Sequence, residues 1–175
     1  KLEVASAQVK SAVILAALQA QGSTTVSEPL PTRDHTERLL QAFGANLAVD
    51  RAANSITVTP GARLVGQEVL VPGDPSSAAF FLVAGAVIDN SHLTVKDVCL
   101  NPTRTGLIRV LKKMGARLSI KETASGGEPL GDVTIQTSQL RAVTVTAKDV
   151  PDLIDELPLV ALLAACADGV SEISG

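Results

Sequence analysis

The chain has 175 residues, 46% of them hydrophobic, and a formal net charge of -3. That content is enough for a buried core. The absence of a basic block, and of Trp and Tyr, excludes the phosphate-tracking and base-stacking surfaces of nucleic-acid binders.

The predicted elements fall into a repeating order. "SAQVKSAVILAALQAQG" (6–22) reads as a greasy helix and runs into the strand "STTVSE". "PTRDHTERLLQAFGANLAVD" (31–50) reads as a second, amphipathic helix and a strand, with Gly44 as a left-handed C-terminal cap. "SITVTP" and "EVLVPG" then alternate as strands do. The order recurs from Asp74: helix "DPSSAAFFLVAGAVIDN", strand "HLTVKDV", then "PTRTGLIRVLKKMGARLSIK", whose helix Gly115 caps, and the strands "DVTIQT" and "AVTVTA". A third copy begins with "PDLIDELPLVALLAACADG" and "VSEIS". Residues 31–49 match residues 102–120 without a gap, Arg33 falling on Arg104 and Gly44 on Gly115.

The unit of about 70–78 residues is long for a solenoid repeat. Its helix–strand alternation with Val- and Thr-rich strands predicts an α/β or α+β architecture. The first helix of each unit is apolar nearly all round, so it should be buried on several sides, while the second, with Arg38, Gln41, Lys112 and Lys113, should face water. "VPGDP" (71–75) is the predicted boundary between residues 1–72 and 73–175, with a hinge near 71–74.

The longest apolar runs are broken well short of a bilayer span, and no signal-peptide pattern opens the chain; a soluble, cytoplasmic protein without membrane contact is expected. Cys99 and Cys166 lack a CxxC partner and His35 and His92 lack ligand spacing, so two reduced, mostly buried thiols and no metal are expected. The chain begins at Lys1 and ends on what reads as a strand just begun, which suggests a piece of a longer protein.

Polar residues gather where the greasy helices start: Ser6, Gln8, Lys10 and Ser11, then Asp74, Ser76 and Ser77, then Asp152, Asp155 and Glu156. Capping accounts for Ser76, Ser77 and Asp152, and Pro158 is compatible with a first helical turn. Gln8 and Lys10 are not favoured caps; with the serines and a helix N-terminus they could cradle a phosphate or carboxylate, Lys10 by its ammonium. Acids at Asp155 and Glu156 would be stabilised by the dipole of the helix they open.

Taken together, "ASAQVKSA" (5–12), "PTRDHTERLL" (31–40), "VPGDPSSAAFFL" (71–82), "NPTRTG" (101–106) and "IDELPLVALLA" (154–164) resemble the 5-enolpyruvylshikimate-3-phosphate synthase family, in particular its bacterial, glyphosate-tolerant branch. The resemblance implies two similar domains, each an inside-out α/β barrel of βαβαββ units, closing on their substrates, with about two and a third units in this chain. Residues 1–72 would be the last unit of one domain and 73–175 the truncated first part of the second.

It also implies transfer of the carboxyvinyl group of phosphoenolpyruvate to the 5-hydroxyl of shikimate 3-phosphate, with release of phosphate, by a monomer that uses no metal or organic cofactor. Ser6 and Gln8 match the motif that binds shikimate 3-phosphate, and Ala7 replaces a serine of some relatives. Arg33 matches a phosphate-binding arginine. Asp155 of "IDELP" matches the proton acceptor for the 5-hydroxyl, leaving Glu156 and Asp152 as solvent-facing or capping groups. The family's phosphoenolpyruvate-binding cations, and the acid that protonates the methylene carbon, fall outside residues 1–175, so this chain alone should be inactive.

The sister transferase acting on UDP-N-acetylglucosamine is disfavoured because neither Cys99 nor Cys166 lies in its Gly-rich loop. An RNA-end-processing enzyme on related units is disfavoured by the acidic balance. A non-catalytic scaffold has only the truncation in its favour.

Overall fold

A computed structural model describes residues 1–123 and 127–174. They divide into two compact units, Lys1–Leu70 and Val71–Gly175. The first unit runs α1 (Ala7–Ala17), β1 (Thr24–Ser27), α2 (His35–Ala42), β2 (Asn46–Asp50) and β3 (Ser55–Thr59). The second repeats it as α3 (Pro75–Val87), β4 (His92–Cys99), α4 (Gly106–Lys113), β5 (Arg117–Thr123) and β6 (Leu130–Gln136). It continues with β7 (Thr144–Val145), α5 (Leu157–Ala165) and β8 (Glu172–Ile173).

Both units use the same sheet, with the last strand in the middle: β1-β3-β2 and β4-β6-β5. Every pairing in these two sheets is antiparallel, with Val26 opposite Ile56 in the first and Val95 opposite Val133 in the second. Period-two alternation places Ile56 and Val58, and likewise Val133 and Ile135, on the face that receives the helices. In the first unit Ile14 and Ala17 of α1 and Leu40 of α2 close over Val26, Ile56 and Val58. In the second, α3 supplies Ala79, Leu82, Val83 and Ala86, and α4 supplies Leu107, Ile108, Val110 and Leu111. Gly44 and Gly115 take φ of 91° and 82°, the left-handed caps expected.

Gly85 lets α3 lie close on the sheet: a Cβ there would stand 2.5 Å from the Ile135 Cγ2 of β6.

Four expectations need correction. "EVLVPG" is not a strand; residues 61–71 are exposed coil, and only Gly73 forms a bridge, to Val98. Alternation signals strand propensity, but a strand also needs an edge to pair with, and among the described residues none pairs with 68–72. "AVTVTA" shrinks to the two residues of β7, paired in parallel with β8, for the same reason.

The greasy helices are not buried on several sides within this chain. Phe80 and Phe81 of α3 are 64% and 61% exposed, and Val9, Leu15 and Leu162 are also exposed. Finally, Cys99 is buried as expected but Cys166 is exposed.

No helix among the described residues is long and apolar enough to cross a membrane.

A Gly85→Val substitution should lower stability by about 1–3 kcal/mol through overpacking against Ile135. An earlier urea midpoint, with the slope of the transition unchanged, is the expected reading.

Candidate functional site

The first unit carries three of the four candidate residues. Ser6 is the N-cap of α1, and its Oγ accepts the Val9 N–H at 3.3 Å. Gln8 follows on the first turn, exposed. Arg33 lies in the coil ahead of α2, also exposed. Among the described residues neither Gln8 nor Arg33 makes a side-chain hydrogen bond or ion pair within the chain.

Lys10 does not fit the expected cradle. Its ammonium is buried, 2% exposed, and forms ion pairs with Glu28 Oε1 at 3.1 Å and Glu37 Oε1 at 2.8 Å. It also donates to the Thr32 carbonyl at 3.4 Å. A lone charge at this depth would cost several kcal/mol, so the lysine turns inward to two carboxylates instead of outward to a ligand. Glu28 in turn accepts the Thr32 N–H at 3.1 Å and the Thr32 hydroxyl at 2.6 Å. The residue before Arg33 is therefore held through its amide, hydroxyl and carbonyl. A further bond of 2.6 Å joins Ser11 on α1 to Thr36 on α2.

The second unit carries Asp155. "VPDLIDELP" does not open as helix: a 3-10 turn spans Val150–Asp152 and α5 begins only at Leu157. Pro158 is the cause. It has no N–H to reach back four residues, so it can stand only in the first turn and sets where α5 starts. Asp152 and Asp155 thus precede the helix and do not sit in its first turn, contrary to expectation.

Asp155 is exposed, and among the described residues its carboxylate has no partner within the chain. Its neighbours are tied. Asp152 pairs with Arg109 at 2.5 Å, Asp149 with Lys113 at 3.3 Å, and Leu153 is buried in the core. Gly106 permits the close approach of this segment to α4, since a Cβ there would stand 2.2 Å from the Asp152 carbonyl oxygen.

Glu156 is not solvent-facing; it stands at the N-cap position of α5, but its side chain makes no capping hydrogen bond. It is buried, and its Oε1 accepts the Ser76 hydroxyl at 2.5 Å. Ser76 Oγ also accepts from Arg104 at 2.9 Å, and Arg104 pairs with Asp74 at 2.9 Å. The cap of α3 is Asp74, which accepts the N–H groups of Ser76 and Ser77 and the Ser77 hydroxyl. Ser76 and Ser77 are bonded to it and do not cap the helix themselves. Nothing at the level of residue spacing signals the Ser76–Glu156 contact, because its partners lie 80 positions apart.

Burial alone would raise the Asp74 carboxyl, but the Ser77 hydroxyl, the two N–H groups and the Arg104 charge hold it below its ordinary 3.8. A carboxyl depressed in the folded state adds stability above its unfolded value, and that contribution is lost as pH falls through the folded value. Asp74→Asn should therefore flatten the acid limb of a stability–pH curve below about pH 4, followed by circular dichroism. An acid limb as steep as the parent's would contradict this.

Comparison with known proteins places the chain. The family model described as EPSP synthase (3-phosphoshikimate 1-carboxyvinyltransferase) matches residues 1–175. A curated 3-phosphoshikimate 1-carboxyvinyltransferase of Limosilactobacillus fermentum is 98% identical over 175 residues, all of this chain and 40% of that protein. Its Bacillus subtilis counterpart is 56% identical over 171 residues, 97% of this chain and 40% of that protein. The solved EPSP synthase from Acinetobacter baumannii superposes with a TM-score of 0.92 at 46% identity, covering 98% of this chain and 39% of that one. The enolpyruvyl transferase NikO from Streptomyces tendae, at 21% identity and a TM-score of 0.67 over 94% of this chain and 38% of its own, shares the fold. The chain spans about 40% of the length of the curated relatives it matches. With a family match from the first residue to the last and the helix–strand repeat of these folds, this chain belongs to the EPSP synthase family and has the α/β fold of an enolpyruvyl transferase.

Proposed function

We propose that this chain is the central part of a 3-phosphoshikimate 1-carboxyvinyltransferase, which transfers the carboxyvinyl group of phosphoenolpyruvate to the 5-hydroxyl of shikimate 3-phosphate. The observation that carries the reading is family membership over residues 1–175. The unengaged side chains of Gln8, Arg33 and Asp155 support it, since a group meant for substrate is not consumed by the scaffold.

In this reading Ser6, Gln8 and Arg33 bind shikimate 3-phosphate. The hydroxyl of Ser6 keeps its proton to donate while its oxygen caps α1. Gln8 offers amide donors beside the unsatisfied N–H groups of the first helical turn, where a helix favours anions. Arg33 supplies a guanidinium fork suited to phosphate oxygens.

Asp155 accepts the proton of the 5-hydroxyl as that oxygen bonds to the central carbon of phosphoenolpyruvate. The methylene carbon gains a proton, and elimination of phosphate then restores the double bond. A neutral alcohol is a weak nucleophile, and a positioned base is worth roughly 10²–10⁴ in rate. The cations that would hold phosphoenolpyruvate and the acid that would protonate its methylene come from outside residues 1–175. The whole protein acts as a cytoplasmic monomer on these two small molecules, without nucleic acid or membrane. Residues 1–72 and 73–175 belong to its two domains, with the hinge near 71–74.

The test is phosphate release from shikimate 3-phosphate and phosphoenolpyruvate, measured on this chain and on the full-length Limosilactobacillus fermentum relative. The full-length protein should turn over and this chain should not. In the full-length protein, Asp155→Asn should lower kcat by about 10²–10⁴ while shikimate 3-phosphate still binds. Parental turnover in that variant would remove Asp155 from the chemistry.

A further inference from the structure

The cluster of Lys10, Glu28 and Glu37 has a composition that folding alone does not explain. One ammonium faces two carboxylates, with side chains 2%, 5% and 4% exposed, and Glu37 Oε2 is buried without a hydrogen-bond partner. Replacing such a group by apolar residues of similar volume is often neutral or stabilising.

The second unit does just that. Lys10 stands four residues after the N-cap Ser6, and the residue four after the N-cap Asp74 is Ala78, buried. In the gap-free repeat Glu37 falls on Ile108, also buried. Thr103, the counterpart of Thr32, is clamped by its neighbour Asn101, whose Oδ1 accepts both the Thr103 N–H at 2.9 Å and its hydroxyl at 2.8 Å. The matching positions are therefore filled without the Lys10–Glu37 ion pair; the buried carboxylate kept in the second unit, Glu128, accepts from the Asn101 amide at 3.0 Å.

What differs between the copies is the arginine that follows. Arg104 is engaged by Asp74 and Ser76, whereas Arg33 is exposed and unengaged among the described residues. Lys10 ties together the three elements that bear on Arg33: α1, which begins with Ser6 and Gln8; Thr32, directly before Arg33; and Glu37 in the first turn of α2.

We infer that Lys10, with Glu28 and Glu37, is a positioning group that fixes Arg33 relative to the N-terminus of α1, so that the two act as one preformed anion-binding unit. The ammonium contacts the scaffold and not the substrate. The inference rests on the proposed binding of shikimate 3-phosphate by Ser6, Gln8 and Arg33.

The experiment uses the full-length Limosilactobacillus fermentum relative and the double variant Lys10→Met with Glu37→Ile. One ammonium and one carboxylate leave together, so the buried net charge is unchanged. The KM for shikimate 3-phosphate should rise about ten- to a hundredfold, as expected when a binding group is misplaced by around an ångström. The KM for phosphoenolpyruvate should change little, while the thermal midpoint should fall, because Glu28 keeps a buried charge without its cation. A folded double variant with parental KM for shikimate 3-phosphate would overturn the inference and leave the cluster a structural feature only.

If the double variant does not fold, Lys10→Arg decides. It keeps the charge but replaces the ammonium by a planar fork, so a raised KM supports positioning and a parental KM overturns it. A parent that neither binds nor converts shikimate 3-phosphate would sink the functional reading separately. Positioning is then read with inorganic phosphate: shifts of the Thr32 and Arg33 amide resonances in the parent but not in the double variant support it, and equal shifts in both overturn it.

Discussion

The structure depends on an apolar helix lying flat on a three-stranded antiparallel sheet whose middle strand is the last one made. In α1 and α3 almost every side chain is apolar, so these helices carry polar groups only at their ends. The N-terminal ends are where a cap, an amide or a hydroxyl can stand beside free backbone N–H groups. Substrate-binding candidates such as Ser6 and Gln8 stand at a helix start, where the unsatisfied backbone N–H groups add to their own polar atoms. Within α1, Lys10 and Ser11 are the exceptions: two carboxylates meet the ammonium, and Thr36 meets the hydroxyl.

Charge is divided between scaffold and site. Lys10, Arg104, Arg109 and Lys113 are each committed to carboxylates within the chain; Lys10 bears on the segment before Arg33, and Arg109 and Lys113 on the segment before Asp155. Among the described residues Gln8, Arg33 and Asp155 are left uncommitted. The repeat makes the division visible, since Arg33 and Arg104 occupy matching positions and only one is used internally.

Much of this was legible in the sequence. Alternation and helical spacing located the helices and most strands, the gap-free match of 31–49 to 102–120 revealed the repeat, and Gly44 and Gly115 marked helix ends. The motifs pointed to the family. What escaped was whatever depended on a partner far along the chain. Lys10 looked like an anion ligand because Glu28 and Glu37 are not its neighbours in sequence, and Glu156 looked solvated because Ser76 is 80 positions away. "EVLVPG" has strand alternation but no edge to join, and Pro158 moved the start of α5 past the acids that spacing had assigned to its first turn.

A crystal structure of the full-length Limosilactobacillus fermentum relative with shikimate 3-phosphate bound is the most direct measurement. The phosphoester is expected on Ser6, Gln8 and Arg33, with an Asp155 carboxylate oxygen about 2.6–3.2 Å from the 5-hydroxyl. Density for the ligand elsewhere, or an Asp155 carboxylate out of reach of that hydroxyl, would contradict the assignment of these residues to the site.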